Sequence, residues 1–213
     1  MHVDVVAVLD VVGIYVFALS GGLMAVRRSM DVVGVLVLGL VTGFAGGVAR
    51  DVLIGDLPPR FVRTEGLLLV PIVAALTILL APALPDRLRQ PVLVLDAVGL
   101  GLFATVGATR AVDAGLGLGA TVLIGTVSAV GGGLVRDLLA DQIPEILAEG
   151  SRLYAVPAAL GALLVALGHR AELTPTAVQA GAVAAAVALR LASLRFGWHV
   201  PARVWRPRGI RRS

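Results

Sequence analysis

The chain of 213 residues has no cysteine and no lysine. Without thiols it can form neither a disulfide nor a thiolate metal site. Its three histidines, His2, His169 and His199, are scattered at loops and ends, so no metal-ligand set is expected from them. No nucleophile, base and orienting partner cluster together, which argues against an enzyme and leaves no cofactor to expect. Aromatic residues make up only 4% of the chain. The isoelectric point near 10.9 therefore does not point to nucleic acid, because the stacking aromatics such binding uses are missing. Charged residues amount to 15%, and no stretch is long and polar enough to form a separate soluble domain.

What fills the sequence instead is apolar. Hydrophobic residues reach 58% and mean hydropathy is +0.94, values of a polytopic membrane protein. Apolar runs near 5–26, 32–54, 66–84, 92–112, 117–140, 151–169 and 174–196 are each of the length that crosses a hydrocarbon core. Turn chemistry and charge separate them, as at Arg27-Arg28, Asp56-Leu57-Pro58-Pro59-Arg60 and Pro85-Asp86-Arg87. The first run follows His2 and Asp4 rather than a basic segment, and no small-x-small pattern closes it, so it reads as a span and not as a cleaved signal peptide.

An offset of 86 residues maps the chain onto itself. Gly46-Gly47-Val48-Ala49-Arg50-Asp51 returns as Gly132-Gly133-Leu134-Val135-Arg136-Asp137. Val8-Leu9-Asp10, Gly13, Phe17-Ala18 and Gly21 return as Val94-Leu95-Asp96, Gly99, Phe103-Ala104 and Gly107, and Pro58 and Pro71 as Pro144 and Pro157. An ungapped repeat of this length indicates a structural duplication. Three spans per copy force the second copy upside down. The expected fold is an all-α membrane protein of seven transmembrane helices: a repeat over 1–84, an inverted repeat over 85–170, a seventh helix over 171–197 and a basic tail over 198–213.

Arginine sets the orientation. With the N-terminus outside, inner loops and tail hold Arg27, Arg28, Arg87, Arg89, Arg152, Arg195, Arg203, Arg206, Arg208, Arg211 and Arg212. Outer loops hold only Arg60, Arg63, Arg110 and Arg170. The positive-inside rule then gives N-out, C-in in a cell (inner) membrane. The basic tail would meet anionic headgroups of the bilayer.

The second and fifth spans carry the unusual residues. Gly39, Gly43 and Gly47 share one face at four-residue spacing, as do Gly125, Ala129 and Gly133, which suits close helix packing. Packing at one seam does not account for the consecutive Gly46-Gly47 and Gly131-Gly132-Gly133, since neighbours on a helix point about 100° apart. A kink is the second reading, and non-helical backbone at membrane depth is tolerated where it lines water. Thr42 and Ser128 lie four residues before the paired glycines; their hydroxyls suit either a pathway or their own helix carbonyls.

The Arg-Asp pairs that follow carry intramembrane charge, which is costly and marks function unless it snorkels to the interface. Depth assigns partners: Arg50 and Asp10 share one level, Arg136 and Asp96 the opposite one. The expected pairs are Arg50–Asp10 and Arg136–Asp96, each close to neutral beside a cation path. Asp51 is expected to face an outer loop with Asp56, Arg60, Arg63 and Glu65. Asp137, Asp141, Glu145 and Glu149 are spaced as an acidic helical face compensated by Arg152, either an inner mouth that gathers cations or an ordinary solvated loop.

The pattern Asp10-x-x-Gly13-x-x-x-Phe17-Ala18-x-x-Gly21, the run Gly46-Gly47-x-x-Arg50-Asp51 and their second copies resemble bacterial members of the trimeric intracellular cation channel (TRIC) family. This group is also described as two-repeat membrane proteins, some of them proposed glycine transporters. The resemblance spans about residues 5–196. It implies a homotrimer with one hourglass pore per protomer for monovalent cations, mainly potassium. Helices two and five would line that pore and bend at their glycines. One departure is Ala45 ahead of Gly46-Gly47, where the second copy has a third glycine; it stiffens the helix-two bend. A secondary carrier for a small substrate such as glycine uses the same devices, and few midspan ionisable residues favour the channel.

Overall fold

A computed structural model describes residues 4–81, 88–149 and 151–199. The expected boundary at 84/85, Arg87 and the basic tail beyond residue 199 lie outside them. The described residues are helical, with an isolated bridge between Arg152 and His199. The helices are α1 (Val5–Arg27), α2 (Val32–Ile54), a single turn α3 (Arg60–Arg63), α4 (Leu69–Leu79) preceded by a 3₁₀ turn over Glu65–Leu68, α5 (Arg89–Asp113), α6 (Leu118–Leu139), α7 (Ala155–Arg170) and α8 (Pro175–Phe196).

Local chemistry sets several ends. Asp4 accepts hydrogen bonds from the amides of Val6 and Ala7 at the start of α1, and Asp31 does the same for Gly34 at the start of α2. Gly55 closes α2 at φ 77°, a left-handed cap that glycine adopts without strain. Pro175 occupies the first turn of α8, where its missing N–H costs nothing. Five helices, α1, α2, α5, α6 and α8, are long and apolar enough to span a bilayer. Two apolar segments, Glu65–Leu79 and Ala155–Arg170, are shorter, and the 16 residues of α7 reach about 24 Å. The chain is a multi-pass membrane protein.

The core is built where α1 meets α5 and α2 meets α6. A Cβ at Gly13 would lie 3.3 Å from the ring of Phe103, and one at Gly99 would lie 2.7 Å from the ring of Phe17. A rising number on α1 thus meets a falling number on α5, so the two run antiparallel. The phenylalanines stack at 5.3 Å between centroids. The α2–α6 contact has the same character: Gly46 abuts the Ser128 carbonyl, and Gly132 the Thr42 carbonyl. Every one of these contacts has its mirror 86 residues away. Small side chains let backbones touch, which is how helices gain dispersion energy where no hydrophobic gain is available. α7 and α8 pack on α5 and have no counterpart beside α1 beyond the short α4.

Candidate functional site: two buried arginine–aspartate clusters

α2 and α6 both continue without interruption through their glycine runs. Packing explains more of those runs than one seam could, because the three glycines of α6 serve three neighbours. A Cβ at Gly131 would lie 3.0 Å from the Cα of Gly46. One at Gly132 would lie 2.5 Å from the Thr42 carbonyl, and one at Gly133 would overlap the Tyr154 hydroxyl. In α2, a Cβ at Gly46 would overlap the Ser128 carbonyl. Gly47 stands apart: the nearest atom to its Cβ position is Nη2 of Arg50 at 3.7 Å. That position has room for a side chain and yet has none.

The Thr42 hydroxyl donates to its own helix at Leu38 O, 2.5 Å away. Its equivalent behaves differently, since Ser128 Oγ is buried with no hydrogen-bond partner among the described residues.

In the first cluster Arg50 Nη1 reaches Asp10 Oδ1 at 3.3 Å, so α1 and α2 bring the expected partners together. The same guanidinium donates through Nε to Asp51 Oδ1 at 2.9 Å. Arg60, from α3, adds a second cation, Nη1 to Asp10 Oδ2 at 3.0 Å. Two arginines thus face two carboxylates. A cavity of about 10 Å³, large enough for one water-sized sphere, opens beside Asp10, Gly47 and Arg50.

The second cluster repeats the core of the first. Arg136 Nη1 lies 2.8 Å from Asp96 Oδ1, and Nε donates to Asp137 Oδ1 at 2.9 Å. Here the surroundings change. Ser20 Oγ accepts from Arg136 Nη1 at 2.7 Å, and the Tyr154 hydroxyl donates to Asp96 Oδ1 at 3.0 Å. Arg190 of α8, fully buried, donates to Leu153 O at 2.8 Å and stacks 4.6 Å over the Tyr154 ring. Its Nη2 stands 3.3 Å from Glu145 Oε1 and 3.9 Å from Asp96 Oδ2. Two arginines face three carboxylates.

One sequence expectation needs refinement and another correction. Asp51 does meet the loop that holds Arg60, but from a buried position: it is 3% exposed, and its Oδ2 accepts the Arg60 amide at 2.9 Å. The residues Asp137, Asp141, Glu145 and Glu149 form no acidic helical face, because α6 ends at Leu139 and turns follow. Asp137 instead folds inward, with Oδ2 accepting the Glu145 amide at 3.1 Å, while Glu145 faces Arg190 rather than Arg152. Both changes have one cause. A buried guanidinium has five donors to satisfy, and the adjacent aspartate is the nearest acceptor. Of the surface residues, Arg63 pairs with Asp56. Arg190, Tyr154 and Ser20 carry no repeat signature, so sequence reasoning missed them; a lone arginine late in the last apolar run was the available signal.

Comparison with known proteins agrees with this geometry. The family model described as "Glycine transporter" matches twice, over residues 7–83 and 93–170. A UPF0126 membrane protein of Deinococcus radiodurans is 42% identical over 92% of this chain and 90% of its own length. The UPF0126 inner membrane protein YadS of Escherichia coli K12 is 38% identical over 90% of this chain and 92% of its own. Among solved structures, the TRIC trimeric intracellular cation channel orthologue from Rhodobacter sphaeroides superposes with a TM-score of 0.85 at 35% identity, covering 91% of this chain and 98% of that one. With two family matches that together cover most of its length and relatives this close, the chain belongs to the Glycine transporter (UPF0126) family, whose fold is that of the bacterial TRIC channels.

Proposed function

We propose that the protein is a homotrimeric, potassium-preferring channel for monovalent cations, with one pathway in each protomer between α2 and α6. The observation that carries this reading is the superposition along nearly the whole chain on a protein described as a trimeric cation channel. The reciprocal contacts at 86 residues' distance and the two family matches support an inverted duplication of three spans, residues 1–84 and 85–170, with α8 as the seventh. The N-terminus lies outside and the tail in the cytoplasm, in the inner membrane where the Escherichia coli relative is placed by name.

The pathway is closed at the α2–α6 glycine contact and opens by separation of the two helices. Ser128 Oγ, without a partner, and the second lone pairs of the Thr42 and Ser128 carbonyls, uncovered once the facing Gly132 and Gly46 move apart, supply oxygens to a partly dehydrated ion. Gly47, whose Cβ position meets only the tip of Arg50, and the run Gly131-Gly132-Gly133 are the flexible points. Arg50 with Asp10 and Asp51, and Arg136 with Asp96 and Asp137, flank the neck at its two ends. Pairing keeps each arginine from repelling a passing cation.

A second reading, a carrier for a small substrate such as glycine, is favoured by the description of the matched family. Reconstitution in a planar bilayer under asymmetric KCl separates the two. The channel gives discrete openings that reverse near the potassium potential. Saturable uptake of labelled glycine without openings would establish the carrier instead.

A further inference from the structure

At the end of the bundle where α5 and α7 finish and α8 begins lies a cleft of about 360 Å³, within the size range of small-molecule pockets. It shares no residue with either arginine–aspartate cluster. Its floor is the side chain of Gln179, which is 5% exposed and has no hydrogen-bond partner among the described residues. The residue is covered on its other sides and its amide opens into the cleft, so its donors and acceptor are free to meet a ligand there. Thr109 stands beside it. Its hydroxyl proton is committed to Thr105 O at 2.9 Å, which leaves the oxygen free to accept.

The walls are apolar, formed by Val112, Val165 and Val178, and at the rim two carboxylates, Asp113 and Glu172, stand with the imidazole of His169. Asp113 and Glu172 line the mouth and make no salt bridge among the described residues. Arg110 and Arg170 sit in the last turns of α5 and α7, yet neither lines the cleft. The carbonyl ends of α5 and α7 add negative partial charge at the mouth, against the single N-terminus of α8.

We propose that this cleft binds a small organic amine: an ammonium group at Asp113 and Glu172, a short apolar body along the valines, and a terminal hydroxyl or amide on Gln179 and Thr109. Each part of the ligand answers a group that the fold leaves unsatisfied. The proposal is independent of conduction through the α2–α6 pathway.

Tyramine has these three parts and is the probe. Titration calorimetry on the detergent-purified full chain should show one tyramine bound per chain. 4-Ethylphenol, which lacks the ammonium, should bind at least about tenfold more weakly. The double variant Asp113→Asn/Glu172→Gln, altered only at exposed positions, should lose the same factor. Gln179→Leu should weaken tyramine by about tenfold but leave 2-phenylethylamine, which has no hydroxyl, unchanged. Absence of tyramine binding at millimolar concentration, equal binding of 4-ethylphenol, or indifference to the carboxylate variant would each overturn the proposal. Repeating the titration in nanodiscs of phosphatidylethanolamine and of phosphatidylcholine identifies the source of the amine. Competition by the ethanolamine lipid alone marks a lipid headgroup, and equal tyramine binding in both marks a free amine.

Discussion

The two arginine–aspartate clusters begin from the same residues and end in different states. At Asp10 the second cation, Arg60, comes from a loop turn and has a side chain 23% exposed. At Asp96 it is Arg190 of the last helix, with a side chain 0% exposed, supported by Tyr154 and the Leu153 carbonyl. The first cluster balances its charges, and the second carries one carboxylate in excess. Duplication therefore conserved the guanidinium with its two aspartates and left the outer partners free to diverge. The added helix α8 gave one copy a second cation sealed from water, although a cleft of about 170 Å³ reaches Arg136, Asp137 and Glu145 there. The other copy took its second cation from a turn that water can reach and screen.

The largest difference should appear when the shared aspartate is removed. Asp96→Asn takes the charge from an acceptor that serves Arg136, Tyr154 and, at 3.9 Å, Arg190. Asp137 and Glu145 still balance the two guanidiniums, so what is lost is hydrogen bonding, and it should cost about 2–4 kcal/mol. Asp10→Asn leaves Arg50 with Asp51 and Arg60 with solvent, at a cost of about 1–3 kcal/mol. Thermal unfolding in detergent, followed by loss of the monodisperse size-exclusion peak, ranks them. An equal or larger effect of Asp10→Asn would break the distinction between the clusters.

Next come the glycines. Gly46→Ala pushes a methyl group into the Ser128 carbonyl, backbone that cannot rotate away, for about 1–3 kcal/mol. Gly47→Ala has room and should gain about 0.5–1 kcal/mol of helix stability. If the two variants melt alike, the close approach of α2 and α6 is not as described. Tyr154→Phe tests the divergent part alone: losing one hydrogen bond to Asp96 should cost about 1–2 kcal/mol. The smallest effect belongs to Arg63→Ala, whose ion pair with Asp56 lies at the surface and should be worth less than about 1 kcal/mol, vanishing in high salt.

Much of this was legible in the sequence because it repeats. The 86-residue offset and the lengths of the apolar runs locate the long helices within a few residues, and helix direction alone assigns Arg50 to Asp10 and Arg136 to Asp96. What breaks the repeat was not legible. Arg190, Tyr154 and Ser20 enter the second cluster from positions with no equivalent charge or hydroxyl in the first copy: residues 68 and 106, which answer to Tyr154 and Ser20, are leucine and valine. The inward turn of Asp51 and Asp137 is not readable from spacing, because neighbours on a helix diverge in direction, yet a long guanidinium can curl back to the next residue. The glycine runs were underread for a related reason. Each glycine of Gly131-Gly132-Gly133 answers a different neighbour, and only the tertiary arrangement shows that there are three.

The central claim is that ions pass where α2 and α6 cross. The absence of native cysteine makes the decisive measurement clean: introduce Ser128→Cys, record potassium currents in a planar bilayer, and add a small water-soluble thiol reagent during activity. Loss of current, in step with modification confirmed by mass and absent from the parent protein, is the predicted result. Undiminished current with the cysteine left unmodified would place the pathway elsewhere.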